Sequence, residues 1–199
     1  MNGFAARTYP RTLELKGERI AIRYMAARDA PDVLAFARAL PPHDLLFLPR
    51  DITHPKVLAA WIAEIDRGAM TTLLGVADNA VVGCATIARD SLSWSAHVAE
   101  LRVVVAPALR GRGLGRSLLE DAFALAAAMG VEKMIAQMTT DQTSAIAVFE
   151  TMGYRGEALL RDHVRDRDGV AHDIVILSHD VKAFAARLDA YGMTDPPPV

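Results

Sequence analysis

The residues best suited to chemistry lie in one stretch, Glu100–Gly115, which reads ELRVVVAPALRGRGLG. An apolar run enters a loop of arginines and glycines, and a helical pattern opens directly after it. Gly111, Gly113 and Gly115 let backbone N–H groups turn toward one point and approach a ligand closely. A helix N-terminus adds unpaired N–H groups and roughly half a positive charge. Arg110, Arg112 and Arg116 add full charges, so the segment reads as an anion cradle suited to a pyrophosphate. A Walker A loop would end in Gly-Lys-Ser/Thr, but Gly115-Arg116-Ser117 has no lysine. A dinucleotide-binding turn would space its glycines G-x-G-x-x-G near the start of the fold. Here they run G-x-G-x-G past mid-chain. A helix start with no ligand would not need three glycines and three arginines between residues 110 and 116.

Other side chains invite weaker readings. Glu100 sits among apolar neighbours ahead of the loop, a setting that suits a general base; the competing reading pairs it structurally with Arg102. His97 is a second base candidate, but strand alternation turns it to the face opposite Glu100. Cys84, within VVGCATI, reads as a packing residue rather than an acyl carrier. His43, His54 and His163 fall in polar segments and read as solvated loop histidines.

These residues need elements to position them. Arg19–Met25 alternates as a strand. Asp29 is placed to cap a helix to Leu40, with Pro31 in its first turn. Leu40–His54, with three prolines, reads as a long loop or short helical turns. Thr53 is placed to cap a second helix that lines up Leu58, Trp61, Ile62 and Ile65 on one face. Met70–Ala77 and Ala80–Ala88 flank Asp78-Asn79 as a hairpin, and Ala96–Ala106 forms a strand that Pro107 ends. A helix then runs to Met129, with Gly130 as its terminating residue. A strand over Val131–Met138, a helix over Gln142–Met152, strands over Tyr154–Arg161 and Val170–Ser178, and a helix over Val181–Tyr191 complete the chain. The pattern predicts one mixed α/β (α+β) domain over 18–191, between irregular tails at 1–17 and 192–199.

Two segments carry a family resemblance. Arg110-Gly111-Arg112-Gly113-Leu114-Gly115 resembles the Arg/Gln-x-x-Gly-x-Gly/Ala signature of the GNAT (GCN5-related N-acetyltransferase) superfamily. Gln142–Tyr154 (QTSAIAVFETMGY) resembles that family's later Asn-x-x-Ala-x-x-x-Tyr-x-x-x-Gly-Phe/Tyr segment; Ala145, Gly153 and Tyr154 match, and Gln142 replaces the asparagine. The resemblance implies a mostly antiparallel sheet flanked by helices, with two splayed strands forming an acyl-CoA cleft. It implies acetyl-CoA as co-substrate, no metal, and a primary amine acceptor, small molecule or protein, that attacks directly in a ternary complex. Arg110 and the amides from Gly111 through Leu114 and Gly115 to Arg116 would then hold the pyrophosphate. Val103, Val104 and Val105 would pair with the pantetheine arm, and an amide near Val104 or Val105 would stabilise the oxyanion. Gln142 and Phe149 would line the cofactor, and Glu100 stands where several members carry a catalytic glutamate. Segments 41–55 and 161–168 would wall the acceptor site. Phe149 departs from the family's usual tyrosine, whose phenol protonates the leaving thiolate. Water or another residue must then supply that proton, or the protein is a non-catalytic acyl-CoA sensor. Tyr154 is no substitute, because it matches the aromatic residue after glycine that packs in the core. Members often pair as homodimers, and helix 181–191 is a candidate contact.

Composition bounds the rest. At 199 residues and 52% apolar, the chain is long and hydrophobic enough for one full core. With 22 basic and 24 acidic side chains it does not read as a nucleic-acid binder. One cysteine rules out an internal disulfide framework and a thiolate zinc cluster. No apolar run reaches the roughly 18 residues a membrane helix needs, and Met1–Thr12 lacks a signal-peptide core. The expectation is a cytoplasmic protein with no membrane partner. The excess of arginine over lysine and the abundant alanine point to a GC-rich bacterial genome.

Overall fold

The computed structural model describes residues 7–183. Among these residues, eight strands form one sheet in the order β1-β2-β3-β4-β5-β6-β8-β7. They span Arg11–Leu15 (β1), Glu18–Tyr24 (β2), Met70–Ala77 (β3), Ala80–Ala88 (β4), Val98–Val105 (β5), Lys133–Thr139 (β6), Arg155–Arg165 (β7) and Ala171–Asp180 (β8). Helices α1 (Ala30–Ala39) and α2 (Pro55–Asp66) pack on one face, and α3 (Leu114–Ala128) and α4 (Thr143–Thr151) on the other. Every neighbouring pair is antiparallel except β5 and β6.

Each face has its own core. Leu114, Leu118 and Ala122 recur every four residues along α3 and are completely buried against Ile20, Leu73, Ala85 and Leu101 of the sheet. The close approach depends on Gly83, where an added Cβ would lie 3.0 Å from Leu118 Cδ1 and 3.2 Å from the Val104 carbonyl. On the opposite face, Val33, Phe36 and Leu58 bury against Leu74, Cys84 and Val104. Burying each such large aliphatic side chain contributes about 1.5–3 kcal/mol.

Three local readings change. The expected irregular tail contains β1, which pairs with β2 from Arg11↔Ile22 to Leu15↔Glu18. Arg7 and Arg11 dock this segment on α3 through ion pairs to the fully buried Asp121. Asp29 does not cap α1; its carboxylate accepts from Arg23 at 2.7 Å on both oxygens and from the Ala26 N–H at 2.8 Å. His54, not Thr53, caps α2, its Nδ1 accepting from the Lys56 N–H, while Thr53 bonds to Asp51. The Asp78-Asn79 turn forms as expected, with φ of 48° and 63°. Most of the expected 181–191 helix and all of the 192–199 tail lie outside the described residues.

Candidate active site

The site begins where β5 and β6 part. They pair in parallel only from Val98↔Lys133 to Glu100↔Ile135. Beyond that point Leu101, Val103 and Val105 line one wall of a cleft of about 670 Å³, and Gln137, Met138 and α4 line the other. Ladder alternation decides which backbone groups face it. The Ala106 N–H bonds to the Val82 carbonyl, and the His97 carbonyl accepts from β6. Even-numbered β5 residues therefore turn their backbone polar groups to β4, and odd-numbered ones turn theirs to the cleft. The amides free for a ligand are those of Val103 and Val105; the expectation that Val104 could offer one is corrected, because its peptide belongs to the β4 ladder.

The cleft floor is the glycine-arginine turn. Gly111 and Gly113 adopt φ of 67° and 101°, a left-handed backbone that disfavours other residues. Gly113 stands at the N-cap of α3 with no side chain on the first-turn N–H groups. Those donors and the helix dipole face an opening lined by Gly111, Gly113, Gly115 and Arg116. An extended, anionic ligand with a long apolar-and-amide arm fits this combination.

Residues 41–154 match the family model described as the acetyltransferase (GNAT) family. The chain belongs to this family. Solved structures agree on the fold. An N-acetyltransferase from Staphylococcus aureus Mu50 is 18% identical with a TM-score of 0.72, over 82% of this chain and 99% of that one. The Salmonella typhimurium protein yncA, solved with its cofactor acetyl-CoA, is 21% identical with a TM-score of 0.68, over 82% and 94%. A phosphinothricin acetyltransferase from Sinorhizobium meliloti, in complex with acetyl-CoA, is 19% identical with a TM-score of 0.70, over 81% and 88%. No curated protein sequence matches the chain.

Within this acetyltransferase, the site residues expected from sequence divide into two groups. Val103, Val104, Val105, Gly111, Gly113, Gly115, Arg116, Gln142 and Phe149 all line the cleft, Val104 without offering its amide. Arg112 and Leu114 do not. The Arg112 guanidinium pairs with Glu18 of β2 instead, and the Leu114 side chain is completely buried under the sheet, leaving only its amide at the helix start. Arg110 lines the cleft but is engaged: it donates to Asp44 at 2.6 Å and to the Val105 carbonyl at 3.2 Å. Lys16 reaches the Gly111 carbonyl at 3.3 Å and brings an unexpected cation to the turn.

Phe149 is buried and meets Tyr154 edge-on, with ring centroids 4.9 Å apart. The Tyr154 hydroxyl donates to Met134 Sδ, and burial pushes its pKa well above the usual phenol value. It is a core residue, as expected. Glu100 lies on the other face of β5, where Arg102 Nη2 donates to its Oε2 at 2.6 Å; its Oε1 is buried with no hydrogen-bond partner among the described residues. His97 precedes β5 and is exposed.

The sequence reading missed one device. His43 and Asp44, on the short helical turn Pro42–Leu45, reach opposite walls of the cleft. Asp44 accepts from Arg110, while His43 Nε2 lies 2.6 Å from Asp141 Oδ2 in the loop before α4. The His43 ring also meets His172 edge-on at 5.0 Å, and His172 Nε2 lies 2.9 Å from Asp166. Burial opposes ionisation of Asp141, but hydrogen bonding, including that of His43, outweighs it and holds the carboxyl below its usual range. The proline-rich composition of the loop was the available signal.

A second cavity, of about 220 Å³, lies on the face that carries Arg102 and meets the cleft at Val104, which lines both. Cys84 borders it, but burial pushes its thiol up to about 12, so it is no nucleophile. Among the described residues, no group of three His, Cys, Asp or Glu side chains is placed to hold a metal ion. Among the described residues, no helix is long and apolar enough to cross a membrane.

Proposed function

We propose that this acetyltransferase moves the acetyl group of acetyl-CoA to a primary amine by direct attack in a ternary complex. The observation that carries the reading is the parting of β5 from β6 directly above a glycine turn at a helix N-terminus. The turn amides and Arg116 hold the pyrophosphate. The cleft-facing peptide groups of Val103 and the amide of Val105 pair with the pantetheine arm like an added strand. Gln142 and Phe149 enclose the arm from α4.

The reaction needs a neutral amine, because an ammonium has no lone pair to attack with. The nitrogen bonds to the thioester carbonyl carbon, and the resulting oxyanion is stabilised by a β5 amide. Collapse breaks the C–S bond and releases the CoA thiolate and the amide product. Glu100 accepts the amine proton, directly or through water. Phe149 has no proton to give and the Tyr154 phenol is sealed in the core, so solvent protonates the thiolate. A thiol of pKa near 8.5 makes this an easy departure. The reaction takes place in the cytoplasm of a bacterium.

Calorimetric titration with acetyl-CoA tests the donor. Micromolar affinity, about −8 kcal/mol, that is lost in a folded Gly113→Pro variant supports the reading. Absence of binding by the wild type refutes it.

A further inference from the structure

The cavity beside Val104 has a definite chemical character. Its walls are apolar, built from Leu48, Ile52, Val57, Trp61, Met70 and Val104. At about 220 Å³ it is smaller than the roughly 300–1,000 Å³ that holds drug-sized ligands, so its occupant is a small molecule or one side chain. Three charged residues border it: Arg50, Glu64 and Arg102. Glu64 is already paired with Arg67. Arg102 spends one donor on Glu100, and Arg50 is exposed. The uncommitted polar capacity of the cavity is therefore guanidinium N–H, in a forked geometry that matches carboxylates.

From this cavity we infer that the acceptor is a small amine with an apolar body and a carboxylate, an apolar amino acid being the simplest case, read by Arg102 with Arg50 at the rim. The inference rests on acetyl-CoA filling the neighbouring cleft, since Val104 is where an acceptor and a thioester would meet. It follows from charge as well as shape. Two arginines against one glutamate in the lining disfavour polyamines and other polycations, and a nearby guanidinium favours the neutral form of the attacking amine over the ammonium. The apolar walls reward a leucine- or methionine-sized body. The carboxylate supplies the orientation, and leaving Arg102 unmatched by an uncharged analogue costs affinity.

The test measures CoA release with leucine, methionine and phenylalanine, with their carboxamides, and with spermidine, while calorimetry follows acetyl-CoA binding separately. The expected result is kcat/KM at least tenfold higher for the acids than for the amides, and no turnover of spermidine. Arg102→Gln should shrink the acid-to-amide ratio at least tenfold, and Arg50→Gln should shrink it less. An effect passing through Glu100 would slow acids and amides alike and leave the ratio unchanged. Equal or better turnover of amides or spermidine overturns the inference, as does an unchanged ratio in Arg102→Gln. Acetyl-CoA binding without turnover of any of these amines also overturns it, leaving the donor intact. Failure to bind acetyl-CoA overturns the reading on which it rests.

Discussion

Arg110 Nη2 stands 2.6 Å from Asp44 Oδ2 across the mouth of the cleft. The arginine of the glycine turn thus carries a carboxylate partner brought by a distant loop, and a bound pyrophosphate must share it. His43, the preceding residue, is tied to the opposite wall through Asp141. One short helical turn therefore straps both sides of the cleft.

Removing the Asp44 charge should help the anionic co-substrate. Asp44→Asn is expected to tighten acetyl-CoA binding about two- to fivefold, since one unit charge at about 10 Å in a wet cleft is worth about 0.4–1 kcal/mol. Calorimetry at low and high salt checks this, and the gain should shrink as salt rises.

Glu100→Gln tests the base. We expect kcat to fall about 100-fold, within the range for loss of a positioned general base, with acetyl-CoA affinity unchanged. Retention of full kcat would make Glu100 a purely structural partner of Arg102.

The packing of α3 on the sheet is vulnerable at Gly83. Gly83→Ala places a Cβ 3.0 Å from Leu118 Cδ1 and 3.2 Å from the Val104 carbonyl. Overpacking of this kind costs about 1–3 kcal/mol. Urea denaturation should show a lower midpoint, and because Val104 borders both cavities, acetyl-CoA affinity should fall with it.

The Arg23–Asp29 pair predicts an acid-sensitive contribution to stability. Hydrogen bonds from Arg23 hold the buried Asp29 carboxyl below its usual range, against the opposing effect of burial. A depressed folded-state pKa stabilises the protein above the ordinary aspartate value of about 3.9. That stabilisation is lost as pH falls through the lower folded-state value. Asp29→Asn should cost about 2–3 kcal/mol at neutral pH, because it strands a half-buried guanidinium. Denaturation at pH 7 and in acid should show the gap between variant and wild type closing in acid.

Local signals were legible along the chain. The Asp78-Asn79 hairpin, the apolar stripe of α3 and the glycine turn each depend on a few neighbouring residues, and each formed where the pattern placed it. β1 was missed because a five-residue strand with half-exposed alternation carries little signal until Arg7 and Arg11 meet Asp121. Asp29 was misread as a cap because its true partner, Arg23, lies on the preceding strand.

The sequence by itself determined the family, the glycine-arginine turn at the start of α3 and the strand that runs into it, because these are set by residue types at fixed short spacing. Only the tertiary structure decided how the charges are spent. Arg110 meets Asp44 from 66 positions away and His43 meets Asp141 from 98. Arg112 turns to Glu18, and Arg102 turns to Glu100 and the second cavity. That the amides of Val103 and Val105 face the cleft and that of Val104 does not follows from which neighbour each edge of β5 pairs with. Such pairings depend on where separate segments are carried by the sheet, and no local spacing encodes that.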